Sequence, residues 1–165
     1  MSSDTVGISH IAIGVTDLEE SIAFYRDVLG LTVSLQDEEV GTGLAPFHRH
    51  AAYLRWKNGP ATGFIVLDRH IGQEPFGKPA EIFQLGFHHI AFSVTSVAAV
   101  LEKARKLGAH IIHEGSAVGG RAYGYPVAKE APPMVITAFL NDPDGNIIQI
   151  DEWIDKSETR ERSRS

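Results

Sequence analysis

Residues 10–16 read HIAIGVT, and the pattern returns as HIAFSVT at residues 89–95. Five of these seven positions are identical. Each copy precedes a segment of helical periodicity, DLEESIAFYRDVLGL at residues 17–31 and SVAAVLEKARKLGAHI at residues 96–111. Self-similarity on this scale is typical of a duplicated structural unit. We therefore predict two similar modules, each beginning with a strand that carries a histidine.

Both predicted strands have one bulky face and one face of small residues. Side chains alternate across a strand, so every second residue shares a face. The bulky face of each should pack on a helix, and small neighbours leave room beside each imidazole, as expected for histidines that border a cavity. The two histidine faces contain His10, Ala12 and Gly14 in the first copy and His89, Ala91 and Ser93 in the second.

The segments after the two strands have helix signals at both ends. Asp17 is a good N-cap residue, and Glu20 stands where a capping box places its carboxylate. Gly30 and Gly108 follow the last apolar residues, as left-handed C-caps do. The apolar residues recur on one helical stripe, formed by Leu18, Ile22, Tyr25 and Leu29 in the first helix and by Val97, Leu101, Ala104 and Leu107 in the second.

Three further strands are predicted in each half, separated by turns and loops rich in glycine and proline. NDPDGN at residues 141–146 predicts a tight hairpin turn. Long loops inside a compact domain are usually functional or mobile, and three are predicted at Val40–His48, Ile71–Leu85 and Gly115–Met134. The predicted strands are Leu31–Gln36, Ala51–Trp56, Gly63–Asp68, His110–His113, Val135–Leu140 and Ile147–Trp153.

HIAIGVTDLEESIAFYRDVLGL, HHIAFSVTSVAAVLEKARKLGA and NDPDGNIIQI together resemble the vicinal oxygen chelate superfamily. Its members include glyoxalase I, methylmalonyl-CoA epimerase, type I extradiol dioxygenases, fosfomycin-resistance enzymes and bleomycin-binding proteins. The resemblance implies an α+β fold in which two tandem βαβββ modules form a curved eight-stranded mixed sheet, a half-barrel with helices outside. We expect one domain over residues 1–165, with module one at about 6–70, module two at about 86–154 and a disordered tail at 155–165.

The resemblance also implies a divalent-metal site, with ligands from the first and last strand of each module. The matching positions are His10, His89, Gln149 and Val66. Valine cannot coordinate a metal, which favours a layout like that of the extradiol dioxygenases, with the fourth position open. These enzymes use a glutamate where Gln149 stands. An amide oxygen is a legitimate ligand that supplies less charge, so Asp151 or Glu152 is a candidate for an additional ligand.

Candidate residues outside the ligand set lie in loops and at strand edges. His50 and Tyr123 are the candidate catalytic residues, because the outer-sphere histidine and tyrosine of the extradiol enzymes have no counterpart at the matching positions. His48, Arg121 and Tyr125, with Val66, are candidates for substrate binding. His48 and His50 have the alternative of belonging to a polar edge strand, and Arg121, Tyr123 and Tyr125 that of decorating a lid. His88 should point away from His89 and is not predicted as a ligand.

Composition narrows the class of protein. The chain has 165 residues, no cysteine and a formal charge of −6, so we expect no disulfide, no thiolate metal site and no basic surface for nucleic acid. Without a signal-like N-terminus or a long apolar run, we expect a cytoplasmic protein with no membrane partner. The resemblance implies a small-molecule substrate or ligand and a homodimer.

Two functional hypotheses follow. The first is an enzyme that binds Fe, Mn, Ni, Co or Zn and acts on a small substrate with vicinal oxygens, in the manner of a dioxygenase, lyase or isomerase of this superfamily. The second is a metal-free protein that sequesters an antibiotic or another small molecule, as the bleomycin-binding relatives do. The changed ligand positions, Val66 and Gln149, support the second.

Overall fold

The computed structural model describes residues 4–5, 7–59, 62–124 and 134–154, with the backbone alone at Gly120 and Arg121. The chain divides into two compact units, residues 1–78 and 79–165. Within the described residues, no helix is both long and apolar enough to cross a bilayer. The predicted tail at 155–165 lies outside the described residues.

Each unit contains one helix and a mixed sheet of four strands. The order of strands is β1-β4-β3-β2 in the first unit and β5-β8-β7-β6 in the second. The first strand of each unit pairs in parallel with the last, and the other pairs are antiparallel. The α+β class and the two βαβββ modules are therefore confirmed. The elements are β1 His10–Gly14, α1 Leu18–Ala23, β2 Thr32–Gly41, β3 Phe47–Arg55, β4 Phe64–His70, β5 Ile90–Ser93, α2 Val97–Leu107, β6 Ile111–Gly119, β7 Met134–Asn141 and β8 Ile147–Ile154.

The predicted N-cap of α1, Asp17, and the predicted C-cap of α2, Gly108, are present. The Asp17 carboxylate accepts a hydrogen bond from the Glu20 backbone N–H at 3.0 Å, and Ser96 caps α2 through the N–H of Ala99 at 3.2 Å. Gly108 ends α2 in the left-handed conformation with φ of 79°. These local bonds satisfy backbone groups that a helix end leaves unpaired, which explains why both helices begin where the sequence predicts.

The first helix is shorter than its apolar stripe predicts. After Ala23 the chain forms a π-helical turn, Phe24–Val28, before Gly30 turns it at φ of 76°. A π turn adds a residue to the helical repeat. The buried stripe therefore continues through Phe24, Tyr25 and Val28, and Leu29 is only half-buried.

Strands β2 and β3 are longer than predicted. The predicted loop Val40–His48 is in fact a hairpin whose strands stay paired as far as Gly41 and Phe47. Charged residues conceal these strand ends from a search for alternating apolar residues. Strand β6 likewise extends to Gly119, whereas the sequence predicts an end at His113.

The hydrophobic core of each unit lies between its helix and one face of its sheet. In the first unit Ile65 and Leu67 of β4 are fully buried, as are Ile148 and Ile150 of β8 in the second. Because strand side chains alternate, the residues between them occupy the opposite face. That opposite face carries the candidate ligands of the first and last strands.

Candidate functional site

The second unit brings polar groups together on one face of its sheet. Gln149 of β8 pairs with Ala91 of β5, and Asp151 pairs with Ser93. Both side chains therefore lie on the face away from α2, and the two residues are only 9% and 5% exposed. Buried polar groups of this kind need hydrogen-bond partners, and the partners here are one another and Tyr123.

The amide of Gln149 has a defined orientation. Its Nε2 donates to the two Asp151 carboxylate oxygens at 2.9 and 3.1 Å, and it lies 3.2 Å from the Tyr123 hydroxyl. No described residue donates to the Gln149 Oε1 atom. The carbonyl oxygen is therefore left as an acceptor for a ligand or an ion.

Tyr123 reaches this cluster from a short 3-10 turn, Gly120–Tyr123, which follows β6. Its hydroxyl donates to Asp151 Oδ1 at 2.7 Å, and its ring packs edge-to-face on Trp153 with centroids 5.2 Å apart. Burial raises the pKa of Tyr123 above its ordinary value, and the hydrogen bond to Asp151 acts in the same direction. The tyrosine therefore keeps its proton at neutral pH.

His89 stands immediately before β5 and contacts His88. Their Nδ1 atoms are 2.8 Å apart, so one donates a hydrogen bond to the other, and the ring centroids are 4.6 Å apart. The prediction that His88 points away from His89 is therefore wrong, because both residues precede the first paired residue of the strand and need not alternate. A hydrogen bond donated by His89 Nδ1 to His88 leaves the His89 Nε2 lone pair for a metal.

Electrostatics favour the neutral form of His89. Burial lowers the pKa of His89, the neighbouring His88 lowers it further, and Asp151 opposes both effects. A neutral imidazole is the form that coordinates metals. Phe139 meets the imidazole edge-on at 6.1 Å between centroids and supplies an apolar wall.

The first unit repeats the backbone positions with different side chains. Val66 pairs with Ala12, two residues after His10, just as Gln149 pairs with Ala91, two residues after His89. Val66 therefore occupies the position equivalent to Gln149. The exposed His10 imidazole stacks on Phe64 with centroids 5.2 Å apart.

Sequence reasoning missed a charged network on this same face of the first unit. Arg49 contacts Asp68 at 2.6 Å, Glu39 at 2.7 Å and the Tyr53 hydroxyl at 3.2 Å. Tyr53 also donates to Glu39 at 2.7 Å. Only the cross-strand registers bring these residues together, so no motif in the sequence points to them. Asp68 pairs with Gly14 as Asp151 pairs with Ser93, and the two aspartates are equivalent.

His48 and His50 lie on the other face of the first sheet. His50 pairs with Arg69 of β4, whereas Tyr53 pairs with Val66, so the alternation of β3 separates the two histidines from Val66 and His10. Glu38 contacts His48 at 2.5 Å and His50 at 3.2 Å. His50 lines an open pocket of about 440 Å³ beside the start of α1. The structure therefore does not bring His48 and His50 to the face of the candidate ligands.

Two other candidates lie at the limits of what the structure describes. The backbone of Arg121 belongs to the 3-10 turn that carries Tyr123. Tyr125 lies outside the described residues.

The donors on the second unit fit a divalent ion in kind. An imidazole nitrogen and an amide oxygen suit borderline ions such as Zn, Ni and Co, and also Mn and Fe. In the described part of the chain, no group of three His, Cys, Asp or Glu side chains is placed to hold a metal. A metal here would therefore depend on the amide oxygen of Gln149.

Comparison with known proteins agrees with this architecture. The family model described as Glyoxalase/Bleomycin resistance protein/Dioxygenase superfamily matches residues 7–150. A lactoylglutathione lyase of Haemophilus influenzae is 27% identical over 93% of this chain and 95% of its own length. One from Salmonella typhimurium is 29% identical over 87% of this chain and 90% of its own length. Mouse mitochondrial methylmalonyl-CoA epimerase is 27% identical over 73% of this chain and 62% of its own length.

Solved structures show the same fold. A glyoxalase family protein from Bacillus cereus superposes with a TM-score of 0.69 at 16% identity, covering 93% of this chain and 97% of that one. The glyoxalase I of Leishmania major superposes with a TM-score of 0.61 at 21% identity, covering 97% and 94%. The chain therefore belongs to the Glyoxalase/Bleomycin resistance protein/Dioxygenase superfamily.

Proposed function

We propose that this protein is an enzyme that uses a divalent metal to act on a small substrate with two neighbouring oxygen atoms. The proposed ligands are His89 and Gln149 of the second unit, and the resemblance implies His10, at the equivalent position of the first unit, as a further candidate. The observation that carries the proposal is the orientation of Gln149. Its amide nitrogen donates to Asp151, and no described residue donates to its Oε1, which is therefore available as an acceptor.

A bound metal would supply Lewis acidity to the substrate oxygens. The residues of the second unit then have distinct tasks. His88 orients the His89 ring through the bond between their Nδ1 atoms, 2.8 Å apart. Tyr123 keeps its hydroxyl proton and can donate a hydrogen bond to a substrate oxygen by giving up its bond to Asp151. The rings of Phe139 and Trp153 pack against His89 and Tyr123 and line this side of the cluster.

Val66 stands in β4, the last strand of the first unit, at the position where Gln149 stands in β8. A ligand set with a donor at this position in the last strand of each unit is therefore not present. Val66 is 4% exposed and apolar, so the first unit offers no oxygen at this position. An unfilled coordination position suits an enzyme in which the substrate itself binds the metal. This supports a dioxygenase-like layout, while the lyases and epimerase among the relatives support an enzyme of the same superfamily.

The second candidate function is metal-free binding of a small molecule, such as an antibiotic. The observation that favours it is the same Val66, since a protein that needs no metal has no use for a donor there. Aromatic rings on the face of the second unit suit an apolar or aromatic ligand. The two functions differ in what happens when metal is removed.

Metal analysis separates the two. The full chain should be stripped with a chelator, reconstituted in turn with Fe, Mn, Ni, Co and Zn, and analysed for bound metal by mass spectrometry. We expect close to one ion per chain, lost in His89→Ala and retained in His113→Ala, whose exposed ring contacts Ser116. The same measurement on His10→Ala tests the further candidate that the resemblance implies. If no ion binds in a His89-dependent way, the enzyme proposal is wrong.

A further inference from the structure

We propose that Asp151 is a positioning residue for Gln149. The Gln149 amide supplies the oxygen that binds the metal, and Asp151 orients this amide and supplies the negative charge that a carboxylate ligand would have carried. This inference rests on the proposed metal-dependent function. Asp151 contacts Gln149, the proposed metal ligand, and not the metal itself. Its evidence is the geometry of β8 and the contrast with the equivalent aspartate of the first unit.

The first step is the orientation of the amide. A glutamine side chain can turn either its oxygen or its NH2 group toward the site. Two contacts to the Asp151 carboxylate, at 2.9 and 3.1 Å, hold the NH2 group on the Asp151 side. A carboxylate accepts and never donates, so the reverse orientation would place two acceptors together. Asp151 therefore keeps the Gln149 oxygen turned outward.

The second step concerns charge. Asp151 is 5% exposed, and among the described residues it has no Lys, Arg or His within ion-pairing distance. Its polar contacts are to the neutral groups of Tyr123 and Gln149. A buried carboxylate without a cationic partner is costly to maintain. A divalent cation bound to Gln149 would provide the missing positive charge on the far side of the amide.

The equivalent position in the first unit shows what a carboxylate with a cationic partner looks like. Asp68 stands two residues after Val66 and contacts Arg49 at 2.6 Å. No ligand atom is available at Val66, and Asp68 has a cationic partner in Arg49, which it shares with Glu39. In the second unit a donor, Gln149, stands two residues before a carboxylate that contacts no cation among the described residues. In the first unit the apolar Val66 stands two residues before a carboxylate that contacts an arginine.

The third step explains why residue 149 is not an acid. A glutamate there would place a second carboxylate about where the Gln149 amide nitrogen now contacts Asp151, with like charges in a poorly hydrated site. Neutral Gln149 turns that repulsion into hydrogen bonds. We therefore expect metal binding to tolerate the transfer of the negative charge from residue 151 to residue 149. The double variant Gln149→Glu/Asp151→Asn makes this transfer without placing two carboxylates together. In that double variant the introduced asparagine amide can donate to the introduced glutamate carboxylate.

The test is a double-mutant cycle read by metal binding. Apo protein of the wild type, Asp151→Asn, Gln149→Glu and the double variant should be titrated with Co²⁺, using the visible absorption of the bound ion to follow ligation and a competing chelator to obtain Kd. We expect Asp151→Asn to weaken binding about 10- to 100-fold, as loss of an outer partner of a ligand does. The double variant should recover most of that loss, while Gln149→Glu alone should lower the melting temperature of the apo protein.

The matched control is Asp68→Asn. It removes the equivalent carboxylate of the first unit, and we expect a Kd within about two-fold of the wild type, the scatter of independent substitutions. Equal Kd values for Asp151→Asn and the wild type would overturn the inference, as would a double variant that binds as weakly as Asp151→Asn. If the wild type binds no Co²⁺ at all, the proposed function fails and this inference with it, whereas the first two results leave the proposed function standing.

Discussion

Replacing Arg49 with methionine should destabilise the first unit by about 2–3 kcal/mol. Methionine keeps much of the aliphatic stem and removes the contacts to Glu39, Asp68 and Tyr53. Breaking a fully buried ion pair costs about 3–5 kcal/mol, whereas exposed pairs contribute about 0–1 kcal/mol. The three charged side chains are 25%, 26% and 23% exposed, so the value should lie between these limits. The loss should be larger than for an ordinary surface pair because Asp68 remains without its cation.

Urea unfolding measures the effect in the unit concerned. The chain has two tryptophans, Trp56 in the first unit and Trp153 in the second, so a Trp153→Phe background leaves Trp56 as the reporter. With an m-value of about 1–3 kcal/mol/M, the midpoint should fall by about 0.7–3 M. Adding Asp68→Asn should restore part of the loss, because an amide is less costly than an unpaired carboxylate. A loss below about 0.5 kcal/mol, the usual range of surface substitutions, would refute the reasoning.

Three further predictions concern helix ends and acid stability. Gly108→Ala should lower the free energy of unfolding by about 1 kcal/mol in thermal melts, because a φ of 79° is unfavourable for a residue with a side chain. The control is Gly119→Ala, which has open space around it and should melt close to the wild type. Asp17→Ala should cost about 1 kcal/mol through loss of the N-cap bond, and unchanged urea unfolding would contradict that role. Hydrogen bonds from Tyr53 and then Arg49 lower the pKa of Glu39, so its stabilisation is present above its ordinary pKa and lost as pH falls through the depressed one. Glu39→Gln should therefore be less stable at neutral pH and lose less on acidification, and parallel pH profiles of melting temperature would argue against it.

Much of the fold could be predicted because its signals are local. The repeated histidine strands, the Asp17 cap and Gly108 depend on residues within a few positions of each other. The resemblance makes Val66 and Gln149 equivalent, and the strand registers pair each with the residue two positions beyond its histidine. Local pattern and pairing agree here because one face of each sheet is buried, which fixes register.

What could not be predicted depends on partners distant in sequence. The contact between Arg49 and Asp68 joins residues on different strands, and the choice of face for His50 follows from its pairing with Arg69. Polar residues at the start of β3 give no alternating apolar signal, so the sequence indicates neither the strand end nor its face. The π turn at Phe24–Val28 likewise has no signal in the helix propensities of its residues.

The equivalent aspartates of the two units allow one carboxylate to serve as the reference for the other. Asp68 and Asp151 occupy equivalent backbone positions in the last strand of each unit, on the same side of its sheet, but one contacts the Arg49 guanidinium and the other an amide. NMR spectroscopy, which can resolve carboxylates one by one, can compare a group that contacts an arginine with one that contacts an amide in a single sample. Temperature, ionic strength and protein concentration are then identical for both, and the difference between the two signals reports the surroundings alone.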